Sequence, residues 1–64
     1  MKLQTKNRVI LVDDHNLVRS GLAALLVQDG RFDVVDEATN GSEAIDRVQA
    51  TPCDLLIVDL AMPR

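Results

Sequence analysis

Aromatic side chains are almost missing: the 64 residues hold no tryptophan, no tyrosine and one phenylalanine, Phe32. That scarcity excludes a surface that binds nucleic acid by stacking bases, and it leaves packing to aliphatic side chains. Cysteine occurs once, at Cys53, so an internal disulfide framework is excluded. Its place just before an apolar segment reads as a small buried thiol. Basic residues are in deficit, seven against ten acids for a net charge of −3. That sign is wrong for gripping a phosphate backbone, which rules out direct DNA binding by this segment. Long apolar runs are absent too: Leu22–Val27 is the longest stretch free of charge and strong polarity, far below a bilayer span. The N-terminal MKLQTKN carries Lys2 and Lys6 with no apolar stretch behind them, so it is no secretory signal, and a reducing cytoplasm is the expected compartment. Neither G-x-G-x-x-G nor G-x-x-x-x-G-K follows the first apolar segment, which excludes the glycine-rich phosphate cradles of nucleotide sites.

What remains is 47% hydrophobic and 27% charged, the composition of a soluble globular piece. Sixty-four residues permit one small domain. A domain of this size buries only about 60% of its unfolded-chain surface and is marginal without a metal or a partner.

Arg8–Val12, RVILV, is a continuous aliphatic run that predicts a strand covered on both faces. From Asn16 to Asp29, Leu17, Val18, Leu22, Leu25 and Leu26 recur at helical spacing, with Gly30 as the stop and Asp14 or Asn16 as candidate caps. The leucines of this helix are expected in the core; their pattern spans too few heptads for a dimer zipper. Phe32–Thr39 is a shorter, wetter strand around Val34 and Val35, after which Asn40-Gly41 is expected to turn the chain. Ser42 is expected to open a second helix, with Ala44, Ile45 and Val48 on its buried stripe and Thr51-Pro52 at its end. Leu55–Val58, LLIV, is a third strand. The order β-α-β-α-β implies a parallel sheet with right-handed crossovers. Since the first and third strands are apolar throughout, they are expected inside and the mixed second strand outside, in the order 2-1-3. That order reverses the winding between the first and third strands and opens a crevice at their carboxyl ends.

Three acids fall at that crevice. Asp13 and Asp14 follow the first strand and Asp59 follows the third, and neighbouring strand ends lie about 4.8 Å apart. A lone acid at a strand end is ordinarily a helix cap or a solvated loop residue. Three at the ends of the two apolar strands, at the switch point, ask for another explanation. Their mutual repulsion is costly unless protons or a cation offset it, and hard oxygen donors with room for water suit Mg²⁺ better than zinc or copper. His15, at the rim, reads as a solvated or capping residue and is left out of the site.

The stretches VILVDDHNLVRSGLAALL, EATNGSEAIDRV and PCDLLIVDLAMP together resemble the first half of a bacterial response-regulator receiver domain of the NarL/FixJ type, the subfamily with LuxR-type effectors. The resemblance runs from Arg8 to Pro63 and implies a truncated flavodoxin-like (CheY-like) fold. Residues 1–7 are then a flexible N-terminus and 8–64 a partial receiver domain of three strands and two helices. It further implies that Asp59 is the phosphoacceptor that attacks the phosphohistidine of a sensor histidine kinase. Asp14 matches a direct Mg²⁺ ligand, Asp13 an acid acting through water, and the backbone carbonyl of Ala61 the third protein ligand.

The resemblance stops after the third strand. The later hydroxyl and lysine that contact the phosphoryl group, the aromatic switch residue and the helix-turn-helix effector all belong to family regions with no counterpart here, so DNA is reached only through an effector outside this chain. The segment is therefore expected to be a piece of a longer regulator, or to associate, as a homo-oligomer or with another chain, through the exposed edge of its third strand. It reads as a signalling module and not as an enzyme. Two alternatives stand beside that reading. One is an association module that transfers no phosphate. The other is a fragment of a Mg²⁺-dependent aspartyl-phosphate phosphatase of the haloacid-dehalogenase type, disfavoured because that family spaces its two acids by one residue whereas Asp13 and Asp14 are adjacent.

Overall fold

A computed structural model describes residues 6–59. The elements run β1 (Asn7–Val12), α1 (Asn16–Asp29), β2 (Phe32–Ala38), α2 (Gly41–Ala50) and β3 (Leu55–Val58). They form a three-stranded sheet in the order β2-β1-β3 with both pairings parallel, as the apolar pattern predicts. Of the expected flexible stretch 1–7, residues 1–5 lie outside the described residues, and Asn7 already belongs to β1, its N–H donating to the Arg31 carbonyl at 3.0 Å.

The centre of the sheet is the core. Val9, Ile10, Leu11 and Val12 are all buried, because β1 has a strand on each side and a helix over each face. Ile10 and Val12 cluster with Ala38 and with Ala44 of α2, and Val35 and Cys53 pack against them. Leu11 points the other way, toward Val18 and Leu22 of α1. The two helices therefore cover opposite faces. No helix among the described residues is long and apolar enough to cross a membrane.

β2 carries one extra residue. Val9 pairs with Val34 and Ile10 with Asp36, so Val35 is bulged out of the ladder. Val35 can then join the core while the polar residues after it keep bonding partners on both faces: Asp36 accepts from Thr51 beyond α2, and Glu37 faces Arg19 of α1.

Four expectations need correction. The leucines of α1 do not form the core expected of them: Leu17 and Leu25 are 86% and 64% exposed, Leu22 and Leu26 are half-buried, and no residue of α1 is fully buried. The cause is that α1 meets only β1 and β2 among the described elements, which leaves the rest of its apolar stripe uncovered. β3 is likewise not interior. Leu55, Leu56 and Val58 are exposed because β3 meets only β1 among the described elements, with no helix packed over its faces. Helix α1 starts from His15 as N-cap with no side-chain capping bond, so neither Asp14 nor Asn16 caps it. Gly41 makes no turn: it is the first residue of α2, and Asn40 is the cap. The Asn40 side chain accepts from the Glu43 N–H at 2.8 Å, while Glu43 reaches back to the N–H and hydroxyl of Thr39. Gly30 behaves as its position predicts, closing α1 at φ 88 in the left-handed region.

Candidate functional site

Strand pairing brings the acids together. Val12 and Val58 are register partners at the ends of β1 and β3, so the residues that follow them, Asp13 and Asp59, emerge side by side. The Asp59 N–H donates to the Val12 carbonyl and the Asp13 N–H to the Ala38 carbonyl, both at 3.0 Å. These bonds carry the ladder one residue past each strand and fix where both side chains start. Asp13, Asp14, His15 and Asp59 each offer one ligand atom within 4.8 Å of the others. The convergence expected of the three acids is therefore present. Ala61, whose carbonyl the resemblance assigns as a ligand, lies outside the described residues.

Burial grades the cluster. The Asp13 side chain is 4% exposed, that of Asp14 29% and that of His15 63%. Asp13 Oδ1 accepts the backbone N–H of His15 at 2.8 Å, which closes a tight turn and holds the carboxylate against the loop. His15 stands at the N-cap position, yet its side chain turns to the acids, with Nδ1 2.9 Å from Asp14 Oδ1 and 3.2 Å from Asp13 Oδ1. Beside the cluster, a hollow of about 240 Å³ lies between Val18 and Leu22 of α1 and Ile57 and Val58 of β3, with Asp13 and Asp59 among its lining.

The donor set fits a hard divalent cation. Three carboxylates dominate it, one buried and hydrogen-bonded and another open to solvent, so a small ion gains charge-neutralising oxygens and keeps room for its own water. A zinc site would ask for more nitrogen or sulfur than one histidine supplies.

Behind the loop sits a cation to which the sequence reading gives no role. Arg19 donates from Nη1 to the Asp13 carbonyl, from Nη2 to Asn16 Oδ1 and from Nε to Glu37 Oε1, each at 2.6 Å. Its side chain is only 14% exposed. A signal for it exists in the sequence, since it is a positive charge in the first turn of a helix that has no acid there. Farther along β2, Arg47 donates to the Glu37 carbonyl at 3.2 Å, so α2 holds the same strand segment that anchors Arg19.

Comparison with known proteins gives a consistent picture. Residues 9–64 match the family described as response regulator receiver domain. Among curated relatives, a nitrate/nitrite response regulator protein homolog of Haemophilus influenzae is 40% identical over 60 residues, covering 94% of this chain and 29% of the relative. The DNA-binding transcriptional activator DevR/DosR of Mycobacterium tuberculosis is 46% identical over 56 residues, 88% of this chain and 26% of the relative. The transcriptional regulatory protein LiaR of Bacillus subtilis is 42% identical over 55 residues, 86% and 26%. The chain thus spans between a quarter and a third of the length of these relatives.

Proposed function

The chain belongs to the response regulator receiver domain family, and from that premise we propose that it is the phosphoacceptor portion of a cytoplasmic two-component regulator, with a sensor histidine kinase upstream. It acts as a stoichiometric acceptor and not as an enzyme. A parent protein carrying a DNA-binding effector would turn the signal into transcription, a role supported by the relatives' being a DNA-binding transcriptional activator and a transcriptional regulatory protein.

A carboxylate oxygen of Asp59 attacks the phosphorus of the kinase's phosphohistidine. The P–O bond forms as the P–N bond breaks, and the imidazole leaves with the electron pair and takes a proton from solvent. Mg²⁺ bound at the cluster would neutralise phosphoryl oxygens as the two anions approach. Asp13 and Asp14 would hold it, with the Ala61 carbonyl as the third protein ligand. Asp13, buried and tied to the His15 N–H, is suited to orientation, and the more open Asp14 to direct ligation. The observation that carries this reading is the convergence of Asp13, Asp14 and Asp59 at the carboxyl edge of β1 and β3. Its test is incubation with a small phosphodonor and Mg²⁺. One phosphoryl adduct, acid-stable and base-labile, is expected by mass spectrometry in the wild type and none in Asp59→Asn. An adduct that survives in Asp59→Asn overturns the assignment.

A second reading is favoured by the exposure of Leu55, Leu56 and Val58 on β3. In it the chain associates with a second copy through that strand and transfers no phosphate. Sedimentation separates the two: a dimer that forms no adduct supports association alone.

A further inference from the structure

We propose that Arg19 is a positioning residue for the acidic site, holding the β1–α1 loop in the shape that lets Asp13 and Asp14 share a divalent cation; this rests on the Mg²⁺ reading above. Three observations carry it. Helix α1 lacks a side-chain cap, so beyond the turn that Asp13 makes onto the His15 N–H the loop before it depends on contacts from elsewhere. Arg19 stands where the helix dipole disfavours a cation, a placement that needs a compensating set of bonds. That set is present, and its members span three elements: the Asp13 carbonyl in the loop, the Asn16 side chain at the start of α1 and Glu37 on β2.

The geometry requires an arginine. A planar guanidinium presents several donors in a fixed fork, whereas a lysine ammonium is a point charge that cannot hold three separated acceptors in the same way. Because one anchor is the backbone carbonyl of Asp13 itself, losing the fork frees the peptide between Asp13 and Asp14. The two carboxylates then lose their common aim while every metal-binding side chain remains.

The experiment is a titration of the 64-residue chain with MgCl₂, followed through the backbone amide signals of Asp13, Asp14 and Asp59 by NMR. Arg19→Lys keeps the charge and is expected to weaken the apparent Mg²⁺ affinity about tenfold, the size typical of losing a partner that orients metal ligands. Ala44→Gly, which loosens α2 without touching the loop, is the control for general destabilisation and is expected to bind as the wild type does. Equal affinity in Arg19→Lys and wild type overturns the proposal, as does equal weakening in Arg19→Lys and Ala44→Gly. If Arg19→Lys does not fold, Glu37→Gln replaces it: this variant removes the charge from one of the three anchors, an intermediate weakening is expected, and none overturns the proposal. A wild type that binds no Mg²⁺ is a different failure, that of the site reading itself, and takes this proposal with it.

Discussion

The N–H of Asp59 donates to the carbonyl oxygen of Val12 at 3.0 Å. Through this bond an acid from the end of the third strand stands beside two from the end of the first, although 45 or more positions separate them in sequence.

If the shared cluster is a metal site, removing one acid lowers the function of the others. Asp14→Asn is expected to slow phosphorylation by a small phosphodonor on the order of 100-fold, the scale of losing one preorganised electrostatic contact. Phosphorylation in EDTA is expected to fall at least as far. Time-resolved mass spectrometry of the adduct measures both.

Burial predicts a steep contrast between two aliphatic truncations. Ile10 is wholly buried and Leu17 is 86% exposed. Ile10→Ala is expected to cost about 2–5 kcal/mol, enough to unfold much of a domain this small, and Leu17→Ala within about 0.5 kcal/mol. Urea unfolding followed by circular dichroism distinguishes them.

Two glycines of α1, one inside the helix and one at its C-cap, should respond with opposite signs. Gly30 has φ 88, so Gly30→Ala forces a β-carbon into the left-handed region and is expected to destabilise by about 1–2 kcal/mol. Gly21 lies inside α1 with nothing within 4 Å of an added β-carbon, so Gly21→Ala is expected to stabilise by about 0.5–1 kcal/mol. Thermal melts of the two variants read the difference.

Acid should weaken the fold through identifiable carboxylates. The backbone N–H and then the hydroxyl of Thr39 hold Glu43 below its ordinary pKa, and the backbone N–H and then the side chain of Arg8 do the same for Asp54. Both bind protons less readily folded than unfolded, so their stabilisation is complete above the ordinary carboxylate range and lost as pH falls through the depressed folded values. The melting temperature is expected to hold from pH 7 to about 5 and to drop below about 4. Glu43→Gln and Asp54→Asn should each flatten part of that drop in melts recorded across the range.

Much of this architecture was legible in the sequence because its signals are local. The periodicity of Leu17 to Leu26 and the stop at Gly30 predicted α1 to the residue, and the run LLIV predicted β3. The crevice acids followed from strand order alone. Exposure was not legible in the same way: an apolar stripe says that a helix prefers to be covered, whereas the neighbours actually present decide how much of Leu17 or Leu25 is. Caps turned on competition between nearby polar groups. His15 took the N-cap position of α1, and Asn40 capped α2, making Gly41 a helical residue. Arg19 left only a faint mark, a positive charge in the first turn of α1, because two of its three acceptors, a backbone carbonyl and a carboxylate 18 positions away, leave no periodic trace.

The bulge at Val35 lets β2 give the core one more aliphatic side chain without disturbing the register that aims Glu37 at Arg19. Excising Val35 would leave Val34 opposite Val9 and Asp36 opposite Ile10, so both halves of the strand would keep their sides and what would be lost is the contact of Val35 with the core. The extra residue is thus a packing device: it seats a further aliphatic side chain beneath α2, and the strand positions that reach toward the acidic loop do not depend on it.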